Sequence, residues 1–261
     1  MKIWILFLIP VLSLAQPAKR NKKAHKHFLL QVDTLNNLLA AYDTLYPHSS
    51  NLDEFERIES IGFEINQRLP VILEHPLLSY YKVDKLIHEK GLSINTSKDN
   101  KLYFFMVDQK TGGSYHPYDS YLYYRFDENR SGMVMLGEPF FSVIGIVDST
   151  NSVYLISSHL FGCNTCVQES VIQLSPNTLG GVNMESIYYF EGRDISDYQY
   201  DSKNKVLTYQ NEDPFEDDSL YWDEGEYPDG RFRHEGTMVY RNGKFVTTQL
   251  CDFLIQEAST E

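Results

Sequence analysis

The chain has 261 residues and carries 36 Asp and Glu against 23 Lys and Arg, a formal charge of -13. That balance argues against nucleic acid as a partner, because gripping a phosphate backbone needs a basic footprint. Its 19 Tyr and 15 Phe favour strands, whose pleated faces pack large rings well.

Residues 1–15 have the layout of a secretory signal. A single Lys2 precedes an apolar run from Ile3 to Ile9, Pro10 interrupts it, and small residues stand before Gln16. The run is too short to span a bilayer and no cysteine follows it for lipid attachment. The expectation is an exported protein, periplasmic or secreted, with no transmembrane anchor after cleavage; a retained anchor is the alternative. Residues 16–27 form a basic tail, with Lys19, Arg20, Lys22, Lys23 and Lys26 beside His25 and His27. Solvation of those charges is the plain reading, and contact with a membrane surface or polyanion the other.

A helical segment is predicted over 28–90. Phe28, Leu29, Val32, Leu35, Leu38, Leu39, Tyr42 and Leu45 recur at threes and fours, which is the stripe of an amphipathic helix. A second helix begins after Ser50 or Asn51, with Asp53 and Glu54 in its first turn, and is expected to stop at Leu69-Pro70. A third, shorter one covers Leu77 to Glu89.

From Gly91 the period changes to two, and residues 91–255 read as an antiparallel β domain, a meander of about ten or more strands for which a propeller is one available form. Phe140 to Val147, FFSVIGIV, is the most apolar run and is predicted as a central strand. Asn242-Gly243 marks a hairpin, and 256–261 is a C-terminal tail. One pattern recurs: Ser97-Lys98-Asp99-Asn100-Lys101, Asp148-Ser149-Thr150-Asn151-Ser152 and Asp201-Ser202-Lys203-Asn204-Lys205 each lead into a strand. Their Asn residues are 51 and 53 apart, a spacing that suits successive blades or sheets, although any meander can reuse Asx-type turns.

Chemistry has few places to sit. Cys163 and Cys166 form a C-x-x-C and Cys251 stands alone. In an exported chain these three are disulfide candidates, either Cys163 with Cys166 or one of the two with Cys251. A redox dithiol wants its first Cys at a helix N-terminus, whereas this motif joins two strand-like runs. The acidic stretch from Asn211 to Gly230 offers Asp217, Asp218, Asp223 and Glu224 as calcium candidates, without the spacing of an EF-hand. The same stretch has rings and carboxylates together, the materials of a glycan hydrolase. Tyr121, Tyr123, Tyr124, Tyr221, Trp222 and Tyr227 are the candidates for an aromatic ligand surface. Ser114 and His116 lie close together but form no triad, and Gly112-Gly113 reads as a turn. Elbow, zincin, phosphate-loop and dinucleotide signatures are absent from the sequence, and no cofactor is expected.

Ser97-Lys98-Asp99-Asn100-Lys101-Leu102-Tyr103, followed by Asp108 and Thr111-Gly112-Gly113, resembles an uncharacterised family of exported proteins from Bacteroidota bacteria. The likeness covers about 30 residues, an S-x-D-x-K turn, an aromatic strand and T-G-G. It departs in Tyr103-Phe104-Phe105-Met106, which lacks the family's basic and Trp residues. The resemblance implies export and a β-rich fold, and brings no catalytic residue. The function expected is non-enzymatic binding through an aromatic-rich β surface, with a glycan or an envelope protein as partner. A glycan-acting hydrolase is the alternative, and a thiol-disulfide role for the C-x-x-C is a weaker one.

Overall fold

A computed structural model describes residues 22–46, 52–110, 117–128, 130–163, 166–192, 197–213 and 231–255. The predicted signal, Gly112-Gly113 with Ser114 and His116, most of the acidic stretch and the C-terminal tail lie outside the described residues. Two long helices, α1 (Lys22–Asp43) and α2 (Leu52–Leu73), lead through a 3-10 turn (Pro76–Tyr80) and the single-turn α3 (Val83–Leu86) into twelve strands. These are β1 (Ser93–Thr96), β2 (Leu102–Asp108), β3 (Tyr118–Arg125), β4 (Ser131–Gly137), β5 (Phe140–Asp148), β6 (Val153–Cys163), β7 (Cys166–Pro176), β8 (Val182–Gly192), β9 (Asp197–Asp201), β10 (Val206–Asp213), β11 (Arg231–Arg241) and β12 (Lys244–Ile255). They form three four-stranded antiparallel meanders, β1–β4, β5–β8 and β9–β12, each in chain order. The fold is therefore α+β and mostly β.

The three sheets and the helices are stacked as four layers, and alternation along the strands decides what each seam contains. On the first sheet Tyr103, Phe105, Val107, Tyr121 and Tyr123 face the helical stripe Phe28, Val32, Leu35 and Leu39. Their neighbours Leu102, Phe104, Met106, Leu122 and Tyr124 face Phe141, Tyr154, Ile156 and Leu174 of the second sheet. A third core joins Val147, Val153, Leu155 and Val171 to Leu207, Tyr209 and Met238 of the third sheet. Covered on both faces, β2 is buried from Leu102 to Val107, and its run therefore lacks the polar alternation of a half-buried strand. The far face of the third sheet carries Gln199, Thr208, Thr237 and Gln249 in one cross-strand row, with a shallow groove of ≈ 300 Å³. A polar outer face ends the stack as a solvated cap.

Four expectations are corrected. The α1 helix starts at Lys22, so residues 22–27 of the predicted tail are helical; His25 Nδ1 lies 2.9 Å from the Tyr81 hydroxyl and ties this extra length down. The α2 helix runs through Pro70 to Leu73. Proline costs roughly 3 kcal/mol there, and burial of Ile72 and Leu73, at about 1.5 to 3 kcal/mol each, outweighs it. The third helix is broken into the 3-10 turn and α3, because Pro76 restarts the chain behind a His75 cap and Tyr81 is extended. Finally, β5 is an edge strand rather than a central one. Its apolar residues are half-covered by packing against β1, β2 and β3 of the sheet in front, not by strands on both sides.

The recurring turns occupy one position, between the first and second strands of each sheet. Two of them match bond for bond. Asp148 Oδ1 accepts from Thr150 N and Asn151 N at 2.9 and 3.1 Å, and Asp148 Oδ2 from Asn151 Nδ2 at 2.9 Å. Asp201 repeats this with Lys203 N, Asn204 N and Asn204 Nδ2 at 2.8, 3.1 and 2.6 Å. Ser152 and Lys205 then take the same left-handed conformation, φ 54° and 56°. The first turn differs: Ser97 Oγ donates to Asp99 Oδ1 and accepts from Lys101 N and Leu102 N, and Asn100 takes the positive φ. Adjacent turns are tied together, with Lys101 Nζ donating to Ser152 Oγ at 3.3 Å and the Tyr154 hydroxyl to Asp99 Oδ2 at 2.7 Å. Asn242 and Gly243, at φ 52° and 89°, make the predicted hairpin.

Candidate functional site

Two places gather chemistry. The first is a groove of ≈ 960 Å³ where the helical layer meets the β3–β4 hairpin. Leu73, His75, Ser79 and Tyr80 form one wall, and Tyr123, Arg125, Asp127 and Met133 the other. The walls are fixed to each other, since Arg125 Nη1 donates to the Ser79 carbonyl at 2.8 Å. His75 Nδ1 accepts from Leu77 N at 3.1 Å, and its ring stacks on Phe28 with centroids 4.5 Å apart. Burial, with His27 adding, lowers the His75 pKa below its ordinary 6.5, which keeps the imidazole an acceptor. Asp127 is held by Arg130, whose Nε donates to Oδ2 at 2.7 Å. At the rim the Tyr80 ring is 61% exposed. The volume lies in the range of small-molecule sites, and a ring flanked by charged groups suits a ligand with one apolar face and polar edges.

The second place is closed. Across the β6–β7 pair His159 stands opposite Glu169, and both turn toward the third sheet. His159 Nδ1 is 3.6 Å from Glu169 Oε1, beyond hydrogen-bond length, and His159 Nε2 is 3.4 Å from the Tyr198 hydroxyl. Glu169 is 1% exposed. Burial lowers the His159 pKa, with the Glu169 carboxylate opposing. Burial also pushes the Tyr198 phenol well above its ordinary range, a bond to Ser157 opposing and the Glu169 charge adding. Beside this trio Asn211 Nδ2 donates to the Tyr188 hydroxyl at 2.8 Å, and the Tyr188 and Tyr209 rings lie 4.2 Å apart. Neither of the two grooves above is lined by His159, Glu169 or Tyr198; these groups meet between sheets, where buried polar contacts fix how one surface sits on another.

The predicted site residues fall out as follows. Tyr121, Tyr123 and Tyr124 are 2%, 4% and 5% exposed; they belong to the two cores flanking the first sheet and not to an open surface, because both faces of that sheet are covered. Tyr123 and Tyr124 nonetheless reach the groove, and the Tyr124 hydroxyl donates to the Gly180 carbonyl at 3.1 Å. Tyr221, Trp222 and Tyr227, and the calcium candidates Asp217, Asp218, Asp223 and Glu224, lie outside the described residues. Cys163 and Cys166 face each other in the backbone register, and their side chains lie outside it too. Cys251 is a free, half-buried cysteine on β12, with Gln249 Nε2 at 3.5 Å from its sulfur. Among the described residues no cluster of three His, Cys, Asp or Glu could hold a metal ion.

Sequence reasoning overlooked His159, Glu169 and Tyr198. A signal for the first two existed. Taking C-x-x-C as a hairpin turn brings residue 159 opposite residue 169, once the bulge between Phe161 and Cys163 is allowed for. No protein-family model matches the chain, and no curated protein matches it.

Proposed function

We propose that this is an exported, non-enzymatic binding protein whose ligand lies in the groove between the helical layer and the first sheet. The observation that carries the reading is the ≈ 960 Å³ groove itself, with the exposed Tyr80 ring at its rim and Arg125 and Asp127 in its wall. An oligosaccharide fits that chemistry best. The apolar face of a pyranose stacks on a ring, while its hydroxyls exchange hydrogen bonds with a guanidinium and carboxylates. Export rests on the leader-like residues 1–15 and agrees with the Bacteroidota resemblance at Ser97–Tyr103. The hydrolase alternative depends on carboxylates of the acidic stretch from Asn211 to Gly230, whereas the residues that line the groove support binding.

The test is a titration of the full chain with a panel of oligosaccharides, followed by nuclear magnetic resonance shifts. Binding should move signals of Tyr80 and of the β3–β4 hairpin. Tyr80→Ala should weaken it about tenfold without changing the melting temperature, the ring being exposed. Binding that ignores Tyr80→Ala, or shifts confined to the third sheet, would place the site elsewhere.

A further inference from the structure

The α1 helix has a second face that the fold does not use. Opposite the buried stripe Phe28, Val32, Leu35 and Leu39, residues Lys22, Lys26, Leu29, Leu30 and Asp33 recur at i, i+4, i+7, i+8 and i+11. Leu30 is 63% exposed and Leu29 37%, and together with Tyr80, 61% exposed, they line a groove of ≈ 700 Å³ rimmed by Lys22 and Lys26. Neither of those lysines has an ion-pair partner among the described residues. The charge of the whole chain sharpens the contrast. Its net charge is -13, yet residues 1–32 contain no Asp or Glu, and Lys19, Arg20, Lys22, Lys23 and Lys26 fall within eight positions.

We propose that this face of α1 docks the protein onto an anionic phospholipid surface. Lysines clustered beside exposed leucines and a tyrosine are the composition of a helix lying in the bilayer interface. The ammonium groups meet the lipid phosphates, the leucines enter the acyl boundary, and the tyrosine sits at headgroup depth. A soluble polyanion would use the lysines and leave Leu29 and Leu30 wet. Asp33 closes the face on its far side and limits the contact to the first three turns. The two grooves share Tyr80, so the test rests on Lys22, Lys26 and Leu30, which line only the α1 groove.

The experiment is co-sedimentation of the full chain with vesicles of phosphatidylcholine, alone or with about 30% phosphatidylglycerol, at low and high salt. The apolar residues 3–9 would bind both vesicle types alike, so the difference between them reads the charged face. Expected are preferential binding to the phosphatidylglycerol vesicles, its loss at high salt, and an about thirtyfold weakening in Lys22→Gln/Lys26→Gln, at about fivefold per basic residue near an anionic surface. Leu30→Ser should weaken vesicle binding several-fold and leave binding to soluble heparin unchanged. All three positions are exposed, so circular dichroism and melting should match the parent. Equal binding to the two vesicle types, or phosphatidylglycerol binding unmoved by the double lysine variant, overturns the proposal. A Leu30→Ser variant that binds vesicles as the parent does overturns it too, and assigns the face to polyanions.

Discussion

The second sheet makes two seams on one plan and with opposite chemistry. Toward the first sheet it turns Phe141, Tyr154, Ile156 and Leu174 into a core with no charged member, and polar contacts are kept to its margins, such as Asn95 Nδ2 on the Phe141 carbonyl at 2.8 Å. Toward the third sheet Val147, Val153, Leu155 and Val171 give way at one end to Ser157, His159 and Glu169, which meet Tyr198. An apolar seam gains free energy from area and tolerates small shifts. A buried polar seam gains little net, but any displacement strands a group away from water at a cost of about 1–3 kcal/mol. The first seam therefore supplies stability, and the second specifies one docking of sheet on sheet.

Three measurements can break or sharpen that contrast. The largest effect belongs to the apolar seam: Phe104, fully buried and stacked on Phe141 at 5.7 Å, should cost about 3–5 kcal/mol in urea unfolding when changed to Ala. A loss under 1 kcal/mol would show that this seam is not where stability resides. Next comes Glu169→Leu, expected to cost about 1–3 kcal/mol by leaving His159 and Tyr198 buried without the polar partner beside them. Combining it with His159→Phe should recover at least half of that, and simply additive losses would mean that the pair does not act as a unit. The smallest effect is a pH slope. His159 and His75 both have folded pKa values below the ordinary 6.5, so on acidification the unfolded chain takes up protons first. Their stabilising contribution is complete above pH 6.5 and is lost as pH falls through the folded values. His159→Phe should flatten the dependence of the urea midpoint on pH, and an unchanged slope would remove His159 from the account.

Local chemistry was readable in the residues, and coverage was not. The stripe from Phe28 to Leu45, the Asn242-Gly243 hairpin and the three Asn-bearing turns each declare themselves through a period or a φ requirement that neighbouring residues satisfy. Whether a strand is covered on one face or two depends on layers far away in the chain. Tyr121, Tyr123 and Tyr124 could thus read as a contact surface, and Phe140 to Val147 as a central strand. The same limit hid Tyr198, which meets His159 only through the packing of one sheet on another. Pro70 misled for a related reason, because the burial that carries α2 past it comes from a core shared with α1 and the first sheet.

Two glycines show how tightly the layers are fitted. A Cβ at Gly236 would come within 2.1 Å of the Tyr209 ring in the neighbouring strand, and one at Gly145 within 2.7 Å of Tyr200 from the opposing sheet. Tyrosine rings thus press close against bare backbone both within a sheet and between sheets.

The helical layer also has a role in time. Left uncovered, the outer face of the first sheet would present Tyr103, Phe105, Val107, Tyr121 and Tyr123 as a flat apolar strip on which another chain could grow. Since α1 and α2 precede that sheet in the chain, and helices form within about a microsecond, a chain delivered N-terminus first brings its cover ahead of the strands. The chain is written in the order that keeps its stickiest surface from ever meeting a neighbour.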